Sequence, residues 1–245
     1  NFVLKSNVDN IDFEGNFSEK NYLMKIKTDQ FIEKLNIEDI DYILNKNIEA
    51  KLDLDIVNEL IKLKNGSLNL DNLKFNVNGN IEKTVNRSID LLISGKNLNL
   101  RKFLNNLPPK VISEFPNIIG QQGTATLNLS IAGENIKVNK PHIEALFLLN
   151  DVQLFDEERE IRLSNMNIDG EFSNGSENIS NTSKLIFKTF NFYVERNYFE
   201  GVFELSDFKN PHINLDLLSE LYLDEIKNIF QIDTIDFFQS VPSTF

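Results

Sequence analysis

Apolar and polar residues alternate along much of this chain with a period of two. Because a β-strand points successive side chains to opposite faces, this alternation predicts strands with one apolar and one polar face. The apolar positions of the two clearest segments are Leu73, Phe75 and Val77 in one, and Leu127, Leu129 and Ile131 in the other.

A β-hairpin is predicted between residues 190 and 205. We expect Arg196 and Asn197 to supply its turn, because short polar pairs between alternating segments are typical of hairpin connections. Four Phe side chains would then meet across the two strands. The residues predicted to share one face are Phe190, Phe192 and Val194 on the first strand, and Phe199, Gly201, Phe203 and Leu205 on the second.

Helical spacing is confined to short segments. In the best of them Asn99 is a candidate N-cap, and Pro108 and Pro109 would stop the helix. Two weaker segments have the same spacing of three and four residues, one of them behind a possible cap at Asn36. The apolar positions are Leu100, Phe103, Leu104 and Leu107 in the first segment, Ile37, Ile40, Ile43 and Leu44 in the second, and Leu223, Ile226 and Phe230 in the third.

Internal similarity predicts growth by modules. The stretch at 139–145 resembles that at 209–215, and both precede an apolar strand. The expected fold class is therefore mainly β: an elongated, repeated antiparallel β-meander that forms an open groove or curved sheet, with a few short helices. We expect modules at roughly 1–47, 48–120 and 121–245 of a fragment of a longer region.

Composition excludes several functions. The chain has 25 Lys and Arg against 37 Asp and Glu, so its net charge of −12 disfavours nucleic acid and direct attraction to anionic lipid headgroups. It has no Cys, which excludes thiol catalysis and thiolate metal sites. No apolar stretch approaches the length of a membrane-spanning helix, so we expect any export signal or anchor to lie outside this piece.

Candidate catalytic and metal-binding residues all have simpler structural interpretations. His142 and His212 each follow Pro at similar positions of the repeat, which favours a strand-start role over metal binding. Asp53 and Asp55 alternate with apolar residues, as on the wet face of a strand, and the acidic group at 156–160 resembles a solvated turn. Nucleophile elbows and phosphate-binding loops are also missing from the sequence. We therefore predict no catalytic residue, no metal and no cofactor.

Several short stretches resemble the AsmA-like family of Bacteroidetes envelope proteins, in the region towards their C-termini. They occur in family order between about Asp71 and Thr234. The matching stretches are 93–100 (ISGKNLNL), 123–133, Pro141-His142-Ile143, Phe172-Ser173-Asn174-Gly175, 197–201 (NYFEG) and 207–211 (DFKNP). The resemblance implies a periplasmic protein with an inner-membrane anchor, a repeating β-groove fold and a role in outer-membrane biogenesis, related to bridge-like lipid transporters.

The alternating apolar face has two interpretations, a closed core or an open groove for lipid acyl chains. A sheet that extends by modules, with little helix to cover it, favours the groove. The candidate lining residues are Phe75, Val77, Leu127, Leu129, Ile131, Phe190, Phe192, Phe199 and Phe203. The expected partners are phospholipid or another membrane lipid, and envelope proteins.

Two other functions remain open from the sequence. A scaffold or assembly factor would bind outer-membrane proteins by strand addition at a sheet edge. A carbohydrate-active enzyme would require two carboxylates that converge in a cleft.

Overall fold

The protein is a single antiparallel β-meander over most of its described length. The computed structural model describes residues 2–18, 21–37, 40–84, 87–106, 118–134 and 139–222. Within these ranges twelve strands form one sheet, and each strand is hydrogen-bonded to its neighbours in sequence order. The mainly β, open and repeated meander predicted from the sequence is confirmed.

The strands range from 9 to 18 residues in length. A single short α-helix follows the sixth strand in the described part of the chain. The strands are β1 (Phe2–Phe17), β2 (Asn21–Ile37), β3 (Ile40–Val57), β4 (Leu60–Leu70), β5 (Leu73–Glu82), β6 (Ser88–Asn99), β7 (Ile118–Gly133), β8 (His142–Asp156), β9 (Ile161–Ser173), β10 (Lys184–Val194), β11 (Asn197–Ser206) and β12 (His212–Glu220), and the helix is α1 (Leu100–Asn105).

The strand register places the apolar alternation of successive strands on one face of the sheet. Direct cross-strand partners share a face, so the pairing can be followed from strand to strand. One row across β6 to β12 consists of Gly95, Leu127, Phe147, Gly170, Phe187, Phe203 and Leu215. The face that carries this row is called here the apolar face.

The opposite face, called here the polar face, is predominantly hydrophilic. A row across β5 to β12 on this face consists of Asn76, Ser94, Asn128, Leu146, Glu171, Ile186, Glu204 and Asn214. Ion pairs lie on the same side, for example Lys188 Nζ with Glu171 Oε2 at 2.6 Å and Lys184 Nζ with Glu204 Oε1 at 3.2 Å. The sheet therefore has the two unlike faces that its alternation predicted.

The helix α1 packs on the apolar face at one rim of the sheet, between β6 and β7. The Asn99 side chain accepts a hydrogen bond from Lys102 N at 3.1 Å, which confirms the predicted N-cap. A six-residue helix is too short to be stable alone, so tertiary packing must hold it. Leu100 is the buried residue of the helix, at 2% exposure, and Phe103 and Leu104 pack beside it against the sheet.

Two buried clusters mark the core, and both lie under or beside α1. Leu73, Leu98 and Ala125 form one, with Phe75, Phe103 and Leu149 packed against it. Leu100, Val152 and Met166 form the other, with Leu104, Leu149, Leu154, Leu163, Ile168 and Phe192 packed against it. The rest of the apolar face has much less cover from the described part of the chain.

The helix predicted at 36–44 is wrong, because β2 extends to Ile37 and β3 begins at Ile40. Ile37 ends one strand, whereas Ile40, Ile43 and Leu44 belong to the next. Their spacing of three and four residues therefore spans two strands and is not that of one helix. The hairpin turn is at Glu195-Arg196, one residue before the predicted position, and Glu195 has a φ of 53°. The third predicted helix, from Leu223 to Phe230, lies outside the described residues.

The module boundaries stay a prediction. In the sheet, residues 47 and 48 both lie within β3, and residues 120 and 121 both lie within β7. No helix in the described ranges is long and apolar enough to cross a membrane.

Candidate apolar groove

The last four described strands form a trough on the apolar face. Its volume is about 410 Å³, and all of its lining residues are apolar. The aromatic trough, as it is called from here on, is lined by Met166, Ile168, Phe187, Phe190, Phe192, Phe199, Phe203, Leu215 and Leu217. A concave, uncharged surface of this kind fits a hydrocarbon chain better than any polar ligand.

Phe rings in van der Waals contact make up the floor of the trough. Phe192 and Phe199 are direct cross-strand partners, and their rings stack with centroids 5.2 Å apart. Phe187 and Phe203, also partners, have centroids 5.2 Å apart. Phe190 is 8% exposed and Phe199 is 7% exposed. Each such aromatic pair contributes about 0.5–1.5 kcal/mol beyond its buried area, which stabilises the floor.

One wall of the trough is exposed. Leu215 and Leu217 are 51% and 42% exposed, respectively, although both point to the apolar face from β12. Leu218, the next residue, points to the polar face and is 66% exposed. Neighbouring residues of β12 therefore offer a matched pair of leucines inside and outside the trough.

The structure places all nine predicted lining residues on the apolar face but brings only four of them into the trough. Phe190, Phe192, Phe199 and Phe203 converge there. Phe75 instead packs against the buried cluster of Leu73, Leu98 and Ala125. The other four lie on the same face, farther along the sheet: Val77 on β5, and Leu127, Leu129 and Ile131 on β7.

Five lining residues were not identified from the sequence: Met166, Ile168, Phe187, Leu215 and Leu217. Phe187 and Phe190 are three residues apart, which is out of phase for a regular strand. A register shift between them, at Lys188 and Thr189, restores both rings to one face. Leu215 and Leu217 could have been predicted from the sequence, because they continue the apolar alternation that starts at Ile213.

His142 fastens the start of β8 to the loop that follows β9. Its Nδ1 lies 3.2 Å from the Gly175 carbonyl oxygen and 3.0 Å from Asn178 Oδ1, and its Nε2 lies 3.1 Å from Glu144 Oε1. The hydrogen bond to the Glu144 carboxylate, supported by Asn178 and Gly175, raises the pKa of His142 above its ordinary 6.5. This arrangement serves to hold the loop in place.

The turn predicted at 156–160 is exposed at residues 157–160, but Asp156 itself is buried, with 6% of its surface exposed. Asp156 ends β8, and its Oδ1 accepts hydrogen bonds from the backbone N–H groups of Glu158 and Arg159 at 3.0 and 3.1 Å. The Arg159 guanidinium, 2.7 Å from Asp156 Oδ2, lowers the pKa of this carboxyl. Asp55 Oδ2 pairs with Lys64 Nζ at 2.8 Å on the polar face.

Metal-binding clusters are not found in the described ranges, where no three His, Asp or Glu side chains form a group that would hold a metal ion. His142 and His212 begin β8 and β12, with three strands between them. Comparison of the chain with family models, curated proteins and solved structures gives no match.

Proposed function

We propose that this protein binds the acyl chains of phospholipid, or of another membrane lipid, along its apolar face without catalysing a reaction. The observation that carries the proposal is the aromatic trough, an uncharged groove of about 410 Å³ with an exposed leucine wall at Leu215 and Leu217. A contiguous apolar surface that is exposed to water is typical of a binding site for an apolar ligand.

The energetics of binding favour recognition of the hydrocarbon chain. Transfer of one methylene group from water to an apolar site stabilises the complex by about 0.8 kcal/mol. The trough has no charged lining residue to select a headgroup. The net charge of −12 also gives no general attraction to anionic lipids. Affinity should therefore depend on acyl-chain length more than on headgroup charge.

The wider role follows from the resemblance to AsmA-like proteins. On this proposal the chain is a periplasmic part of a cell-envelope protein, anchored in the inner membrane by a segment outside this piece, and it contributes to outer-membrane biogenesis. At about 4.8 Å between strands, a sheet of twelve strands extends about 50 Å. Such a sheet would guide lipid over a distance longer than one binding site.

Native mass spectrometry with lipid extraction tests the proposal. The purified chain should retain lipid, and the Leu215→Asp/Leu217→Asp double variant should lose it. Both side chains are about half exposed, so the substitutions should leave the sheet folded. The control is Leu218→Asp, at a leucine that is also exposed, on the other face of the same strand, which should retain lipid. Protein that is folded and free of lipid in all three forms would contradict the proposal.

A scaffold role by strand addition is the second candidate. The observation in its favour is that β12 is exposed along all nine of its residues. Proline substitution at Asn214 or Asp216 of β12 should then abolish binding of an outer-membrane protein and leave lipid content unchanged. If the protein binds lipid instead, the proline substitutions should leave lipid content unchanged, and charged residues at Leu215 and Leu217 should abolish it.

A further inference from the structure

The helix α1 occupies the continuation of the aromatic trough. Its Leu100 is buried against Val152 and Met166, which are 1% and 8% exposed. Met166 belongs to this cluster and Phe192 packs against it, and both residues also line the aromatic trough. The apolar surface under α1 and the open trough are therefore one continuous surface.

On its other side α1 reaches towards β5. Phe103 packs against the cluster formed by Leu73 of β5, Leu98 of β6 and Ala125 of β7. The two clusters against which α1 packs thus reach from Leu73 of β5 to Phe192 of β10. A hydrocarbon chain that followed this rim of the sheet from β5 to the trough would meet α1 on its way.

We propose that α1 is an internal occupant of the groove, which an acyl chain must displace to pass along this rim. This inference rests on the proposed lipid-binding function and adds a gate to it. With α1 seated, lipid is confined to the aromatic trough. With α1 displaced, the surface around Val152 and Ala125 becomes available to the same lipid.

Few contacts hold α1 in place, so an acyl chain could displace it. A helix of six residues has little stability of its own. Its C-terminal end is held from β3, where Lys46 Nζ donates a hydrogen bond to the Asn105 carbonyl oxygen at 3.0 Å and pairs with Asp71 Oδ2 at 3.4 Å. The apolar residues beneath α1 would accept an acyl chain in place of Leu100 and Leu104, because one hydrocarbon surface replaces another.

A disulfide can lock α1 in its seat. The chain contains no Cys, so an introduced pair would form without competing thiols. A Cβ atom on Gly120 would lie 2.6 Å from Leu104 Cδ1. Replacing Leu104 by Cys removes that atom, so a Cys at each of the two positions would face the other across the space that Leu104 Cδ1 fills. The Leu104→Cys/Gly120→Cys variant therefore gives a locked form when oxidised and its own unlocked control when reduced.

Photolabelling with phosphatidylcholine that carries a diazirine in one acyl chain, supplied from vesicles, tests the gate. In the reduced variant we expect label at Val152, Ala125 or Leu149 as well as in the trough. In the oxidised variant, label at these positions should fall by about tenfold or more, while label at Phe187, Phe203 and Leu215 remains. Oxidation is checked by intact mass before labelling.

A second variant loosens α1 and covers the case in which the lock distorts the fold. Lys46→Met removes the bond to Asn105 and should increase labelling of Val152 and speed amide exchange in α1. The matched control is Lys64→Met, which removes an ion pair with Asp55 on the polar face and should change neither. Equal labelling of Val152 in the locked and unlocked forms would overturn the gate while lipid binding stands. Absence of label from the trough in every form would overturn lipid binding itself.

Discussion

The ring of Phe147 lies directly over Gly170, its cross-strand partner on β9. A Cβ atom on Gly170 would lie 2.3 Å from Phe147 Cζ, so no other residue fits there without moving the ring. Phe187 pairs with Gly170 from the other side, and its ring meets that of Phe147 edge to face at 6.2 Å. The glycine thus lets two aromatic rings from β8 and β10 meet across an intervening strand.

Gly170→Ala should therefore destabilise the sheet. The added methyl group displaces the Phe147 ring, and overpacking of this kind costs about 1–3 kcal/mol. Urea unfolding followed by circular dichroism measures the change. In a Phe147→Leu background the same substitution should cost much less, because a smaller side chain leaves room for the methyl group. Equal costs in both backgrounds would show that the ring is not the obstacle.

The side chain of Asn197 should stabilise the turn end of the β10–β11 hairpin. It is fully buried, its Nδ2 donates to the Val194 carbonyl oxygen at 3.2 Å, and its Oδ1 accepts from Tyr222 N at 2.7 Å. Asn197→Ala leaves both backbone groups without this partner, which costs about 1–3 kcal/mol in the free energy of unfolding.

Two further variants make the Asn197 prediction specific. Asn197→Asp keeps the acceptor for Tyr222 N and loses the donor to Val194, so amide exchange should rise at the turn more than at Tyr222. Asn214→Ala, on exposed β12, should have little effect on stability. If Asn197→Ala unfolds at the same urea concentration as the unchanged protein, the hydrogen bonds contribute nothing net.

Protonation of His142 should stabilise the loop after β9. Its pKa is raised in the folded protein because Glu144, Asn178 and Gly175 accept its hydrogen bonds. A raised pKa gives stabilisation that is complete below the unfolded value of 6.5 and is lost as the pH rises through the folded value. Amide exchange around residues 174–178, corrected for the intrinsic pH dependence, should therefore increase across that range. His142→Gln should remove this pH dependence, and an unchanged profile in that variant would contradict the assignment.

The sequence predicted the fold where strands are regular and missed details where they are not. The hairpin was predicted with Phe192 and Phe199 on one face, because alternation runs uninterrupted towards its turn, but the turn lies one residue earlier than predicted, so Phe192 pairs directly with Phe199. Phe187 was missed because the register shift at Lys188 and Thr189 reverses the phase. Sequence periodicity carries no sign of such a shift, since the pairing with both neighbouring strands creates it.

The residues of the candidate site were likewise predicted only in part. Its four central Phe residues were predicted from alternation, whereas Met166 and Ile168 join them only through the pairing of β9 with β10. The short helix at Leu100 was predicted from its cap and spacing, but its position over Val152 and Met166 was not. That position depends on contacts between residues far apart in the chain, which local patterns do not encode.

Lipid binding can be tested most directly with a single tryptophan, since the chain has none. Phe203→Trp places the indole in the aromatic trough, and Val202→Trp places it on the polar face of the same strand, where Val202 is 46% exposed. Each variant is titrated with phospholipid whose acyl chains carry bromine, a short-range quencher of indole fluorescence. Binding on the apolar face predicts strong, saturable quenching in Phe203→Trp and little in Val202→Trp. Equal quenching of the two variants, or none in either, would contradict acyl-chain binding in the trough.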